Sequence, residues 1–248
     1  MKTVDRQHSK PPKSSVTTLQ PGMERLERAI AHDGLASRRE AKSLIMKGLV
    51  SVNGTVVREP GFGVKIEKDI IEIKAGATAD KESYLVYKAR GIETTRTSGA
   101  TKDLKDVFPK LKHLSPIGRL DKDSEGLIIM SNDGTLTKAL TKEESSIGKT
   151  YRVVVRENVT DASILKMSRG IVLDKVLTRP AVVKRISRTS FSITLFEGRK
   201  HQIRRMCDAC HLTIETLTRI SIGHLSSVGM KPGNAKRLTV EDVMLLKK

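Results

Sequence analysis

A single carboxylate in a short segment bounded by glycines is the strongest candidate for chemistry in this sequence. Gly118–Gly126 reads GRLDKDSEG and sets Asp121 between Arg119 and Lys122, behind a glycine and a leucine. Nearby positive charge keeps a carboxyl group ionised, and an ionised carboxylate held in place can act as a nucleophile or a base. Taken alone, the same segment is equally compatible with a solvated charged loop.

A second candidate segment, residues 197–206, reads EGRKHQIRRM. Cations clustered behind a glycine at the predicted start of a helix indicate a surface that faces phosphate. Planar guanidinium groups also suit two-pronged contacts with carboxylate or phosphate, and the isolated acid elsewhere needs a partner. The alternative is a solvated basic face.

Aromatic residues are scarce, at 3% of the chain, with three tyrosines and no tryptophan. This composition disfavours a broad platform on which many bases of single-stranded nucleic acid stack. One ring is enough to stack on one base that has left its helix, and Tyr151, at the start of a β-rich segment, is a candidate for it. An ordinary core or rim position is the competing interpretation.

The formal net charge of +18, with a pI near 10.0, predicts a polyanionic partner such as RNA, DNA or an anionic membrane. The sequence contains neither a run of about 18 apolar residues that could span a membrane nor the apolar core of a signal peptide. Two cysteines do not make a disulfide framework. These features predict a soluble, cytoplasmic protein that binds a polyanion.

Cys207–His211 matches the C-x-x-C-H pattern of haem attachment and could suggest a metal site together with His201. A structural zinc site usually takes four ligands in paired clusters, and the sequence has no second cysteine pair. We therefore expect these cysteines to pack in the interior. No HExxH, P-loop or GxGxxG motif occurs, so neither a metal nor a nucleotide cofactor is predicted.

Composition divides the chain into three parts. Residues 1–22 are polar and basic and lack apolar periodicity, which predicts a disordered basic tail. Residues 23–75 form a predicted small domain, and a linker of small and polar residues at 75–81 separates it from a larger domain at 82–248.

The small domain carries signals for helices and a hairpin. Leu26, Ile30 and Leu35 are spaced for a first helix that is interrupted near Asp33–Gly34, and Ser37 is the predicted cap of a second. Asn53–Gly54, between apolar segments, predicts a β-hairpin turn.

In the larger domain, strands and helices must hold the candidate residues. The apolar run Leu127–Met130 predicts a buried strand directly after the Asp121 segment, and Tyr151–Val155 predicts another. Leu104–Leu111 is predicted as one short helix and Gln202–Cys210 as a basic helix. Strands with interspersed helices and several hairpins favour an α+β fold over a doubly wound parallel sheet.

With these motifs in order, the chain closely resembles the RsuA/RluB/RluE/RluF family of bacterial ribosomal RNA pseudouridine synthases, with the RluF-like branch nearest. The matching elements are Gly118–Gly126, Lys149–Val153 and Glu197–Met206. Residues from Met23 to about Ile73 resemble the small RNA-binding module named after ribosomal protein S4. The resemblance implies an S4-like module followed by a mixed, mainly antiparallel-sheet catalytic domain.

The resemblance also implies roles for individual residues. Asp121 would be the catalytic aspartate, Tyr151 the ring that stacks against the target uracil, and Arg204 the basic partner of Asp121. Asp121 could attack C1′ of the ribose, attack C6 of the base, or remove the 2′ proton; the sequence does not choose among these steps. The RNA-binding residues would be Arg119, Arg199 and Lys200 beside the catalytic residues, and Arg38, Arg39 and Lys42 in the small module.

The expected activity is site-specific isomerisation of uridine to pseudouridine in a structured stem-loop of ribosomal RNA, with 23S RNA as the expected target. No cofactor, metal or membrane partner is implied, and a monomer is expected. The alternative is a non-catalytic RNA-binding or ribosome-assembly factor that uses the same basic surfaces.

Overall fold

The computed structural model describes residues 19, 21–78, 80–97, 99, 101–142 and 145–248. Most of the predicted tail at 1–22 therefore lies outside the described residues. The chain divides into two compact units, Met1–Ile30 with Arg38–Thr78, and Ala31–Ser37 with Ala79–Lys248. The domain limits at 23–75 and 82–248 stay predictions. Within the described ranges, no helix has the length and apolar character needed to cross a membrane.

A three-stranded antiparallel sheet and two helices form the N-terminal part. Its elements are β1 (Glu24–Arg25), α1 (Leu26–His32), α2 (Arg38–Met46), β2 (Val50–Val52), β3 (Thr55–Val57), β4 (Gly63–Val64) and β5 (Ile71–Ile73). Strand β2 lies between β3 and β5, and β1 pairs with β4. The predicted turn between β2 and β3 is confirmed, with positive φ angles of 50° and 78° at Asn53 and Gly54.

Helix α2 has one apolar face and one basic face. Ala41, Leu44 and Ile45 are buried, as their spacing of three and four residues predicts. Arg38, Arg39 and Lys42 are exposed, and the guanidinium of Arg38 lies 3.5 Å from the Glu27 carboxylate.

The predicted interruption of the first helix near Asp33–Gly34 is confirmed, but the helix does not include Leu35, contrary to the prediction from its spacing. Helix α1 ends at His32, and Leu35 is 43% exposed. Gly34 has a φ of +71°, a left-handed conformation that does not continue an α-helix.

The C-terminal part is built on one large mixed sheet. Its elements are β6 (Ser83–Lys88), α3 (Leu104–Val107), β7 (Ser115–Ile117), β8 (Glu125–Ser131), α4 (Gly134–Thr141), β9 (Lys149–Val155), α5 (Asp161–Arg169), β10 (Val172–Leu173), β11 (Val176–Leu177), β12 (Val182–Ser187), β13 (Ser190–Leu195), α6 (Gln202–Asp208), β14 (Ile214–Ile222), β15 (Leu225–Ser226), β16 (Ala235–Arg237) and α7 (Val240–Leu245).

The strand order in this sheet is β12-β13-β9-β14-β8-β6-β16, with β7 beside β8 and β15 beside β14. Strands β14 and β8 run parallel, and the other described pairings in the sheet are antiparallel. The predicted α+β fold with a mainly antiparallel sheet is confirmed. Strands β9, β14 and β8 are adjacent at its centre.

Strand β8 is buried on both faces, which explains its unbroken apolar run. Leu127 and Ile129 pack with Leu136 of α4 on one face, whereas Ile128 and Met130 pack with Leu104 of α3 on the other. Successive side chains of a strand point to opposite faces, so a central strand between two helical layers needs apolar residues at every position. The loop before β8 is therefore anchored to the most buried strand of the sheet.

Two predicted helices are shorter than expected. Residues 104–111 form α3 and then a separate 3₁₀ helix at Pro109–Leu111. Phe108, between them, has φ −119° and ψ 69°, because a residue that precedes proline disfavours the helical conformation. Helix α6 ends at Asp208 rather than at Cys210.

Gly126, the second residue of β8, is predicted to be indispensable for folding. Its φ is +109°, and a Cβ atom there would lie 2.3 Å from the carbonyl oxygen of Arg219 on the adjacent strand. Gly126→Ala should therefore lower the free energy of unfolding by about 3 kcal/mol or more. Urea denaturation followed by circular dichroism measures this. Gly99→Ala, where a Cβ would meet nothing within 4 Å, is the control, and equal stability of the two variants would contradict the close approach of β8 and β14.

Candidate active site

Asp121 lies in the loop that connects β7 to β8, and the residue before it, Leu120, is held by two hydrogen bonds. The backbone amide of Leu120 donates to the Thr94 hydroxyl at 2.9 Å, and that hydroxyl donates to the Leu120 carbonyl at 2.7 Å. Thr94 and Leu120 are both buried, and Leu120 packs in the core beside β8. The position of the Asp121 backbone is thereby fixed on its N-terminal side.

A buried lysine, Lys88, bonds to the backbone of the same loop. Lys88, at the end of β6, is completely buried, and its ammonium donates to the carbonyls of Ile92 at 2.6 Å, Ala89 at 3.1 Å and Lys122 at 3.4 Å. Burial lowers the pKa of Lys88 from its ordinary 10.5 to about 8, against the opposing effect of the Asp121 charge. Lys122 follows Asp121 directly, so both neighbours of the candidate acid are held by buried side chains.

The Asp121 carboxylate has two basic neighbours, both from the N-terminal end of α6. The Nε of Arg204 lies 3.7 Å from Oδ2, and the Nε2 of His201 lies 3.5 Å from Oδ1. Arg204 also donates from Nη2 to the hydroxyl of Ser124 at 3.3 Å. The contact between Asp121 and Arg204 that the sequence analysis expected is present. Among the described residues, His201 and Arg204 are the basic side chains within 4 Å of the Asp121 carboxylate. The cations beside it in the sequence, Arg119 and Lys122, are not among them.

Helix α6 places Arg204 beside Asp121, and side-chain hydrogen bonds fix the first turn of this helix. Gln202 is buried, donates to Glu197 at 2.7 Å and accepts from the backbone amide of Arg199 at 3.0 Å. Further along the helix, Ile203 and Met206 pack into the core under β9 and β13. A helix tied at its start and buried on one face presents Arg204 in a defined direction.

Tyr151 lies on β9, directly opposite Arg219 of β14. The guanidinium carbon of Arg219 is 5.9 Å from the centre of the Tyr151 ring, and Nη1 donates to the phenolic oxygen at 3.4 Å. Arg219 also donates from Nε to the carbonyl of Leu127 at 2.5 Å. The ring is therefore in contact with a cation that is itself bonded to the central strand β8.

These side chains line one cleft of about 990 Å³. The predicted residues that line it are Asp121, Tyr151, Arg204, Arg119, Arg199 and Lys200. A volume of this order can hold a nucleoside-sized ligand. The other three predicted RNA-binding residues, Arg38, Arg39 and Lys42, lie on α2 of the N-terminal part.

Arg199 was predicted to bind RNA, but its guanidinium is occupied by bonds within the protein. Its guanidinium donates to the carbonyls of Val176 at 3.1 Å and Leu177 at 2.8 Å, and to Glu197 at 3.3 Å. It therefore ties the β10–β11 hairpin to the wall of the cleft. A contact between Arg199 and phosphate stays a prediction, whereas Arg119 and Lys200 are exposed at the cleft.

Basic residues that were not selected as catalytic or RNA-binding candidates from the sequence also belong to the site, among them Lys88, His201 and Arg219. His201 lies within the EGRKHQIRRM segment, so its position was the available signal. Lys88 is the last residue of β6, and Arg219 lies in β14, where polar residues are interspersed with apolar ones, so neither position indicated burial from the sequence. In the folded chain, a buried charge at such a position indicates function or fixed architecture.

Lys149 is a further basic residue of the cleft. Its ammonium donates to the Leu140 carbonyl at 3.3 Å. Burial, and secondarily the positive charge of Arg219, lower the pKa of Lys149 below its ordinary value. The cleft thus combines two carboxylates with several cations, and one of the carboxylates, Glu197, is already bonded to Arg199 and Gln202.

Cys207 lies in α6 and Cys210 lies just beyond its end, where it is partly buried against the same core. Cys207 is completely buried in the core, and burial raises the pKa of its thiol to about 12. In the described ranges, no three His, Cys, Asp or Glu side chains are grouped so that they could hold a metal ion. Cys207 is thus a core residue rather than a reactive thiol.

Two family models match the chain. The model described as RNA pseudouridylate synthase matches residues 82–209, and the S4 domain model matches residues 24–71. A solved structure titled as a pseudouridylate synthase aligns with a TM-score of 0.68 and 24% identity, covering 90% of this chain and 99% of that one. This last likeness supports the fold alone.

Curated relatives align over most of the chain. Ribosomal large subunit pseudouridine synthase B of Bacillus subtilis is 38% identical over 91% of this chain and 96% of its own. Dual-specificity RNA pseudouridine synthase RluF of Escherichia coli K12 is 33% identical over 89% of this chain and 77% of its own. The family resemblance drawn from the motifs is confirmed.

Replacement of Lys88 by methionine tests the buried cation. Because the pKa of Lys88 is about 8 in the folded chain, the unfolded chain binds more protons than the folded chain between about pH 8 and pH 10. The free energy of unfolding of the native protein should therefore rise relative to that of Lys88→Met across this window. Urea denaturation from pH 7 to pH 10 measures the difference, with Lys122→Met as the exposed-lysine control. A difference that stays constant with pH would contradict the buried position.

Proposed function

The chain belongs to the RNA pseudouridylate synthase family, and we propose that it converts a specific uridine of ribosomal RNA to pseudouridine, in the 23S RNA of the large subunit. The name of the B. subtilis relative, which specifies the large ribosomal subunit, supports the choice of RNA. The single observation that carries the proposal is the Asp121 carboxylate, paired with Arg204 across 3.7 Å inside a cleft large enough to hold a nucleoside. A non-catalytic RNA-binding or assembly factor would have no use for that acid.

The reaction is an isomerisation, so the substrate itself supplies every atom of the product. The bond between N1 and C1′ breaks, the uracil turns, and C5 bonds to C1′. The proton on C5 is lost and N1 gains one, so atoms and electrons balance without a redox partner or an energy source.

Asp121 would act at the glycosidic bond as an ionised carboxylate. Three steps are open to it: attack on C1′ of the ribose, attack on C6 of the base, or removal of the 2′ proton while the uracil anion leaves. The Arg204 guanidinium would orient the carboxylate in each case. Attack at C1′ parallels the carboxylate nucleophile of retaining glycosidases.

The target uridine must leave its stack to reach Asp121. Extrusion costs a few kcal/mol and is easiest from a loop or bulge, which favours a structured stem-loop as the substrate. The Tyr151 ring would stack on the extruded base, and exposed Arg119 and Lys200 would hold flanking phosphates. The S4 domain would add affinity through Arg39 and Lys42 on the exposed face of α2.

Replacement of Asp121 by asparagine separates catalysis from binding. Asp121→Asn should lower the rate of conversion by about 10³-fold or more, because the amide is neither a nucleophile nor a base. The RNA affinity should survive, because phosphate contacts supply most of it. Tritium release from RNA labelled at C5 of uridine measures conversion, and filter binding measures affinity.

Asp123→Asn is the matched control, since Asp123 lies in the same loop and is exposed. It should keep most of the activity. An active Asp121→Asn protein would refute the proposed role of the acid.

The contribution of the S4 domain is tested by salt dependence. Replacing Arg39 and Lys42 by glutamine should make the slope of log affinity against log salt shallower by about 1 to 2. Arg38 is left in place because its partner Glu27 is buried, and its loss would confound stability with binding. The charge-preserving pair Arg39→Lys with Lys42→Arg is the control. An unchanged slope in the glutamine variant would remove α2 from the RNA contact.

A further inference from the structure

Arg219 is a buried cation at the centre of the catalytic sheet. It is 3% exposed, yet it lines the cleft that contains Asp121. In the sheet it lies opposite Tyr151 on one side and Gly126 on the other. A guanidinium at such a position costs desolvation free energy, which its contacts must offset.

The contacts of Arg219 connect the Tyr151 ring to the strand that follows the Asp121 loop. Nε donates to the Leu127 carbonyl at 2.5 Å, and Nη1 donates to the Tyr151 hydroxyl at 3.4 Å. The guanidinium carbon is 5.9 Å from the ring centre, within the range of a cation–π contact. Leu127 is completely buried on β8, the strand that follows the Asp121 loop.

The environment of the third guanidinium nitrogen, Nη2, indicates that Arg219 is not present to stabilise the fold. Nη2 is buried and has no hydrogen-bond partner among the described residues. A buried, unpaired donor destabilises a fold, so an apolar residue would suit this position better if packing were its only task. Of the five N–H donors of the side chain, the contacts above direct one at β8 and one at Tyr151.

We propose that Arg219 is the positioning residue for Tyr151: it fixes the ring, relative to the strand that follows the Asp121 loop, at the orientation in which an extruded uracil stacks. The inference rests on the proposed function, because it assigns Tyr151 to the base. A ring held on one side by a fixed cation loses less freedom when the base arrives, so more of the bound uridine lies in the reactive orientation. Arg219 therefore acts on the rate of the bound complex rather than on RNA affinity.

The test compares Arg219→Lys, Tyr151→Phe and the double variant in single-turnover reactions. The substrate is ribosomal RNA transcribed in vitro with uridine tritiated at C5. Lysine keeps the charge but cannot reach both partners. Loss of one or two positioning contacts corresponds to a fall of about tenfold or more in the rate at saturating RNA. The RNA dissociation constant should change by less than about twofold.

Coupling between the two residues distinguishes positioning from an independent role. Because Arg219→Lys already releases the ring, the double variant should be no slower than Arg219→Lys alone. Losses that multiply in the double variant, or a normal rate in Arg219→Lys, would overturn the inference. A wild-type protein that releases no tritium would instead refute the proposed function, so the two failures are distinguishable.

A spectroscopic readout separates positioning from general destabilisation. The chain has three tyrosines, so ring ¹³C resonances can be assigned by substitution. Arg219→Lys should shift the resonance of Tyr151 and leave those of Tyr84 and Tyr87 in place. Equal shifts at all three would overturn the inference.

Two further variants complete the design. Arg185→Lys alters an arginine on β12 that pairs at 2.7 Å with the exposed Asp161 of α5. This variant should behave as wild type. If Arg219→Lys does not fold, Arg219→Gln, which keeps an N–H donor, replaces it in every comparison.

Discussion

The ion pair between Asp121 and Arg204 joins two parts of the chain that reach the cleft from different directions. Asp121 comes from the loop before β8, and Arg204 comes from α6, more than eighty residues later. A single ion pair at 3.7 Å between partly exposed groups contributes little to stability. The pair instead orients the Asp121 carboxylate, and this requires that both the loop before β8 and helix α6 be rigid. The rest of the catalytic domain supplies that rigidity.

Each support is rigid for an identifiable physical reason. The Asp121 loop is held by the Thr94 hydroxyl and the Lys88 ammonium, both buried, which bond the carbonyls on either side of the acid. Helix α6 is held by Gln202 at its start and by apolar packing along one face. Buried polar groups of this kind destabilise a fold unless their hydrogen bonds are made, so they hold the backbone in one arrangement. The reactive groups themselves stay accessible in the cleft.

Much of this arrangement could be predicted from the sequence, for reasons that particular residues illustrate. The four-residue apolar run of β8 predicted a buried strand, and the Asn53–Gly54 turn required positive φ angles that asparagine and glycine tolerate. The break at Pro109 follows a local rule and could have been foreseen. Lys88 and Arg219 could not, because a lysine or arginine in a strand is exposed unless distant segments cover it. Their burial depends on β8, β14 and the loop at Thr94 meeting in space. The internal bonds of Arg199 likewise depend on the β10–β11 hairpin, which lacks a strong sequence signal.

The central claim is that one uridine leaves its RNA helix and lies between Tyr151 and Asp121. A structure of the inactive Asp121→Asn protein bound to a ribosomal stem-loop that contains the target uridine tests it most directly. The account predicts an extruded uracil stacked on the Tyr151 ring, with C1′ of its ribose beside the side chain of residue 121 and flanking phosphates near Arg119 and Lys200. A target uridine that remains paired in the RNA, or an extruded base bound away from this cleft, would contradict it.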